Sequence, residues 1–101
     1  MVTVGILATL TAKPGKEDEL AQFLTDALPL AQAEAQTTAW FAVKIDESTF
    51  GIFDVFPSQD GRQAHLDGPI AAALMANAAA LLAQPPRIEK IDLLAAKLPG
   101  Q

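Results

Sequence analysis

The chain has no cysteine and no tyrosine, one histidine, one tryptophan, and seven basic residues against twelve acidic ones. Each shortage removes a class of function. Without cysteine there is no disulfide, no thiolate nucleophile, no zinc ribbon and no iron–sulfur cluster. Without tyrosine, no side-chain phenol enters a mechanism. A lone histidine among dispersed acids does not reach the ligand count of a metal centre, and no nucleophile triad or phosphate-cradling loop accompanies it. The net charge is −5, and the basic residues are scattered without interleaved aromatics. That argues against nucleic acid and against anionic membrane surfaces, which both need a basic patch. Long apolar runs are missing too. The longest uncharged stretch, residues 68–86, carries Pro69, Asn77 and Gln84 among alanines. It falls short of the ~20 predominantly apolar residues of a membrane span and reads as a buried pair of helices. Met1-Val2-Thr3-Val4 has no basic leader, so no signal peptide is predicted, and the absence of cysteine fits a cytoplasmic protein.

Half of the residues are hydrophobic, and 101 residues make one domain, 1–101, around one core. Val2, Val4, Ile6, Ala8 and Leu10 alternate with Thr3, Gly5, Thr9 and Thr11, with Leu7 the one bulky exception. This predicts a strand with a core face and a small, threonine-rich face. Lys13-Pro14-Gly15 ends it, and Glu17, Asp18 and Glu19 follow in a first helical turn, where the macrodipole favours acids. A helix is expected over about 16–35, interrupted near Leu28 because Pro29 cannot donate to the carbonyl of Thr25. Thr37 to Asp46 reads as a second strand. Asp46-Glu47-Ser48 is a turn, and Thr49 to Phe56 returns as a third strand in an antiparallel hairpin. A short helix is expected at 58–66, with Ser58 or Asp60 as cap. A further helix follows from Ile70 behind Pro69, and a last strand over 87–97. The order is β-α-β-β-α-β: an α+β, ferredoxin-like fold with a four-stranded antiparallel sheet and helices on one face.

That order, the Ala-Lys-Pro-Gly-Lys-Glu-Asp-Glu-Leu corner at 12–20, and Ala64-His65-Leu66 followed by Gly68-Pro69 resemble the antibiotic biosynthesis monooxygenase (ABM) superfamily. The resemblance covers nearly the whole chain. It implies a homodimer in which two sheets meet face to face in a dimeric α/β barrel, and it implies cofactor-independent oxygenation of a phenolic or quinol-type small molecule. The small-residue face of the first strand suits such a contact, since an uncovered sheet would expose a large patch. Departures are also visible. Quinol-oxidising relatives end the third strand with Glu-x-Trp, where this chain has Asp54-Val55-Phe56. The tryptophan and the ligating histidine of the haem-degrading branch are replaced by His65 and Met75, which argues against haem degradation.

Within that frame the candidate catalytic residues are His65 and Asp54. His65 is the only side chain with an unperturbed pKa near neutrality, and it is the expected base for a phenolic or enolic proton. Asp54 lies between Phe53 and Phe56 on an apolar strand, where a carboxylate needs a partner. It either orients His65 or hydrogen-bonds substrate, or, as a structural group, pairs with Arg62, Lys44 or a backbone amide or faces solvent. Trp40 and Phe56, with Phe41 and Phe50, are expected to line an aromatic cavity for a flat ligand or to pack as core. Asn77 is expected on the Ile70, Leu74 and Leu81 side of its helix, facing a pocket or ending a helical segment. Arg62 is expected to meet an anionic product or to lie on a solvated face. No metal and no cofactor is expected. The rival readings are a non-catalytic dimeric module for a small apolar ligand or another protein, and an isomerase that enolises its substrate with the same base.

Overall fold

The computed structural model describes residues 1–100. Strand β1 (Val4–Thr11) is followed by helices α1 (Glu17–Asp26) and α2 (Leu28–Ala33) and then by the hairpin strands β2 (Ala39–Lys44) and β3 (Thr49–Phe56). Helices α3 (Gln59–Leu66) and α4 (Pro69–Leu81) lead to β4 (Arg87–Asp92). The strands form one antiparallel sheet in the order β2-β3-β1-β4, the ferredoxin-like arrangement.

The local causes are visible in the chain. Gly15 takes a positive φ of 85°, which lets the Pro14-Gly15 corner turn from sheet to helix at little steric cost. Pro29 sits in the first turn of α2, where its missing N–H is no loss. The expected break therefore falls one residue early, at Ala27. Asp46 accepts backbone hydrogen bonds from Ser48 and Thr49 at 3.0 and 2.8 Å, which closes the hairpin turn. Ser58 occupies the N-cap position of α3 without a side-chain capping bond.

Two sequence expectations need correction. Residues 68–86 form one helix and an irregular exit, not a buried helix pair, and only Ile70, Leu74 and Leu81 of α4 are buried. An alanine-rich surface keeps helical propensity without apolar periodicity, so its buried stripe is narrow. The last strand ends at Asp92, not Lys97. Leu93 still donates its N–H to the carbonyl of Thr3 at 3.0 Å, but β1 begins only at Val4, so 94–97 have no strand beside them, and Leu94 is fully exposed.

The sheet's two faces differ. Val4, Ile6, Ala8 and Leu10 of β1 and Phe50, Ile52 and Phe56 of β3 are buried toward the helices, against Leu20, Leu24, Leu74 and Leu81. The other face carries Leu7, Phe41 and Val43, which are 40, 50 and 44 % exposed. Phe41 and Phe53 stack there with ring centroids 6.4 Å apart.

Candidate functional site

Register places Trp40 directly opposite Asp54 on the helix-facing side of the β2–β3 pair, and Ile6 opposite Asp54 on the β1–β3 pair. Asp54 is therefore a central-strand residue on the core face, and it is fully buried. Helix α3 lies across this part of the sheet and lowers His65, itself buried, onto it. Nε2 of His65 stands 3.0 Å from Asp54 Oδ2. The contact is a close charge pair off the line of a good hydrogen bond, so both oxygens of Asp54 are buried without a well-directed donor. On the ring's other side, Nδ1 is 2.6 Å from Oε1 of Glu34. Glu34 is the residue that ends α2. Its Oε1 also accepts a hydrogen bond from Thr37 Oγ1 at 2.7 Å. The Phe56 ring backs the imidazole with centroids 5.4 Å apart.

Two influences oppose each other on His65. Burial, the largest, pushes its pKa down, since it penalises the charged ring. The polar contacts and charges of Asp54 and Glu34 push it up and prevail, so the net value is raised above the ordinary 6.5.

His65 separates two cavities. One is a small chamber of ≈ 30 Å³ between sheet and helices, walled by Ile6 and Ala8 of β1, Ile52 of β3, Leu66 of α3, Ile70 and Leu74 of α4 and the part-exposed Ile88 of β4. Asp54 and His65 are its polar groups. The other is an open concavity of ≈ 160 Å³ beside Glu34, Gln36, Thr37 and Gly61.

The remaining expected site residues do not line the chamber. Trp40 is half-buried against Ala27, Ala31 and Ile70, with its indole N–H buried and unpartnered. Phe56 is core, packed with Val4, Ile6 and Leu66. Phe41 is on the opposite face of the sheet, so Trp40, Phe41, Phe50 and Phe56 do not enclose an aromatic cavity, and the chamber walls are aliphatic. Asn77 is exposed on α4 and donates back to the carbonyl of Ala73 at 2.8 Å, away from the chamber. The Ile70–Leu74–Leu81 stripe is narrow enough to leave it outside. Arg62 donates to the carbonyls of Gly5 and Ile91 at 3.2 and 3.1 Å, which ties α3 to the β1–β4 pair. Among the described residues no group of three or more histidine, cysteine and acidic side chains is arranged to hold a metal ion, and no helix is long and apolar enough to cross a membrane.

Glu34 escaped the sequence reading. Its one legible signal is an acid at the end of a helical stretch, where the dipole disfavours negative charge.

This geometry can be set beside known structures. A protein of unknown function from Nitrosomonas europaea is 62 % identical with a TM-score of 0.98, over 100 % of this chain and 98 % of that one. The chain belongs to that protein's family. Its fold is the ABM-like fold. A provisionally assigned antibiotic biosynthesis monooxygenase from Caulobacter crescentus superposes with a TM-score of 0.78 at 22 % identity, over 93 % of this chain and 92 % of that one. A second provisionally assigned member, from Nitrosomonas europaea, gives 0.80 at 12 % identity, covering 91 % and 90 %. No family model and no curated protein matches the chain. The likeness to the two assigned ABM proteins is therefore one of fold.

Proposed function

We propose that this protein binds a small, largely apolar molecule by a hydroxyl at the Asp54–His65 pair, removes the hydroxyl proton, and lets the resulting phenolate or enolate react with dioxygen. The observation that carries the reading is Asp54: a fully buried carboxylate, without a well-directed donor, facing an aliphatic chamber. A buried carboxylate in that position costs free energy unless something donates to it. An ionised carboxylate only accepts, so the complementary ligand presents an O–H on an apolar body.

The chemistry balances without a further reactant. The hydroxyl proton passes to the pair, and the electron-rich anion forms a carbon–oxygen bond to dioxygen. The peroxide so formed takes up a proton. Loss of the C–H proton with cleavage of the O–O bond leaves a carbonyl on carbon and releases water. The pair first takes a proton and later returns one, the usual economy of a general base. A chamber of ≈ 30 Å³ holds a water-sized group. The hydroxyl end of the substrate fits it, and the ring enters by displacing Ile88, which is 43 % exposed on edge strand β4.

The assembly proposed is a homodimer through the open sheet face, supported by the uncovered Leu7, Phe41 and Val43. The test of activity is oxygen uptake across a panel of quinols, naphthols and anthrones, with mass-spectrometric detection of label from ¹⁸O₂. Incorporation that disappears in Asp54→Asn supports the reading; no uptake by the wild type on any of them refutes it.

The small chamber volume favours a second reading, a binding module without turnover. It predicts that a ligand found by the same panel binds wild type and Asp54→Asn with similar affinity, and that neither consumes oxygen.

A further inference from the structure

We propose that Glu34 is a positioning residue of this site, holding the Nδ1 proton of His65 so that the ring faces Asp54 as a donor and leaves proton acceptance at the chamber to the aspartate. The chemical use of that arrangement rests on the function proposed above, but the arrangement itself does not depend on it.

The assignment follows from donor and acceptor chemistry. An ionised carboxylate has no hydrogen to give. With Glu34 Oε1 at 2.6 Å, Nδ1 carries a proton and donates it. With Asp54 Oδ2 at 3.0 Å, a lone pair on Nε2 would face a carboxylate oxygen at contact distance, so Nε2 carries a proton as well. The ring is thus an imidazolium bracketed by two acids. Besides those two acids, β4 contributes Lys90, which lies opposite Ile6 in register and is exposed. Asp54 comes from β3 and Glu34 from the end of α2, while β1, α4 and Phe56 offer apolar surface. Arg62, on α3 itself, is engaged by the carbonyls of Gly5 and Ile91.

Two features hold Glu34 in this task. Thr37 donates to the oxygen that accepts from His65, fixing its direction. Only 15 % of its side chain is exposed, so water does not readily replace it. An imidazolium cannot act as the base. The expected division of labour is therefore inverted: Asp54 takes the proton and His65 supplies a positive charge beside it. Glu34 is the member of the trio nearest solvent, since His65 is more buried and Asp54 fully so.

The single histidine makes the test direct. Protein labelled with ¹⁵N-histidine gives one pair of ring-nitrogen signals, readable without any substrate. At pH 7 the wild type is expected to show both ring nitrogens protonated. In Glu34→Gln the midpoint of the titration is expected to fall by about one unit or more, the usual effect of removing a charge at this range, with loss of the proton from Nδ1 above it. An unprotonated Nδ1 in the wild type at pH 7 overturns the proposal, as does an unchanged midpoint in a folded Glu34→Gln. If that variant does not fold, Thr37→Val replaces it. A smaller fall in midpoint supports the proposal, and no change overturns it. Failure of the oxygenation reading would appear as absent oxygen uptake with these nitrogen signals intact, so the two outcomes are separable.

Discussion

His65 joins three segments that are distant in sequence: the end of α2, the middle of β3 and helix α3. Removing the ring leaves Glu34 and Asp54 buried near one another without the cation between them. Breaking a buried ion pair by deleting one partner costs about 3 kcal/mol or more. His65→Ala is expected to lose about that much in urea unfolding, far more than truncation of an ordinary half-buried polar residue. The pH dependence follows from the same contacts. The native pKa of His65 is raised above the ordinary 6.5. Its contribution to stability is therefore complete below the unfolded value and is lost as the pH rises through the native value. Unfolding midpoints measured from pH 6 upward should fall across that window in the wild type. The same series in His65→Gln should lack the step, and a step of equal size there would assign it to another group.

At the scale of elements, the close approach of β1 to β3 sets where Asp54 sits. A Cβ placed on Gly5 would lie 2.8 Å from the backbone carbonyl of Asp54 itself, a contact that backbone must move to relieve. Gly5→Ala is expected to destabilise the protein by about 1–3 kcal/mol, in the range of overpacked sites, and to shift the His65 ring signals, since β3 carries their partner. A stability loss with unmoved ring signals would place the strain elsewhere. These elements were largely legible from the chain. Period-two alternation in Val2–Leu10 and the boundaries of Thr49–Phe56 come from local sterics, and the break before Pro29 from a missing N–H. Local rules failed where pairing or packing decides. The end of β4 at Asp92 depends on whether a partner strand continues, and Asn77 lies outside a stripe that alanines do not mark. His65 and Asp54 stood out in the sequence by their chemistry, one as the only histidine and the other as an acid in an apolar strand. Glu34 did not, because its partnership with His65 exists only once α2 and α3 are packed, 31 residues apart along the chain.

At the scale of the whole molecule, the helices cover one face of the sheet and leave the other bare. Leu7, Phe41 and Val43 lie on that face with the half-buried Phe53, around small residues at Gly5, Thr9 and Gly51. Phe41, Phe53 and Leu7 form one apolar row across the middle of that face, and burying it removes apolar surface from water at about 25 cal/mol per Å². A second copy of the chain offers the matching surface through a two-fold axis, which is how most small homo-oligomers close. Light scattering after size exclusion should therefore give twice the chain mass for the wild type. Phe41→Glu would put a charge into the proposed contact, twice over by symmetry, and an unpaired buried charge would not be tolerated there. The variant should run as a monomer while keeping its far-ultraviolet dichroism, because Phe41 is half exposed within the single chain and the core beneath β2 does not need it. A wild-type monomer at micromolar concentration would remove the dimer from the account. The trio of Glu34, His65 and Asp54 would be untouched by that result, since all three lie on the helix side of the sheet and within one chain.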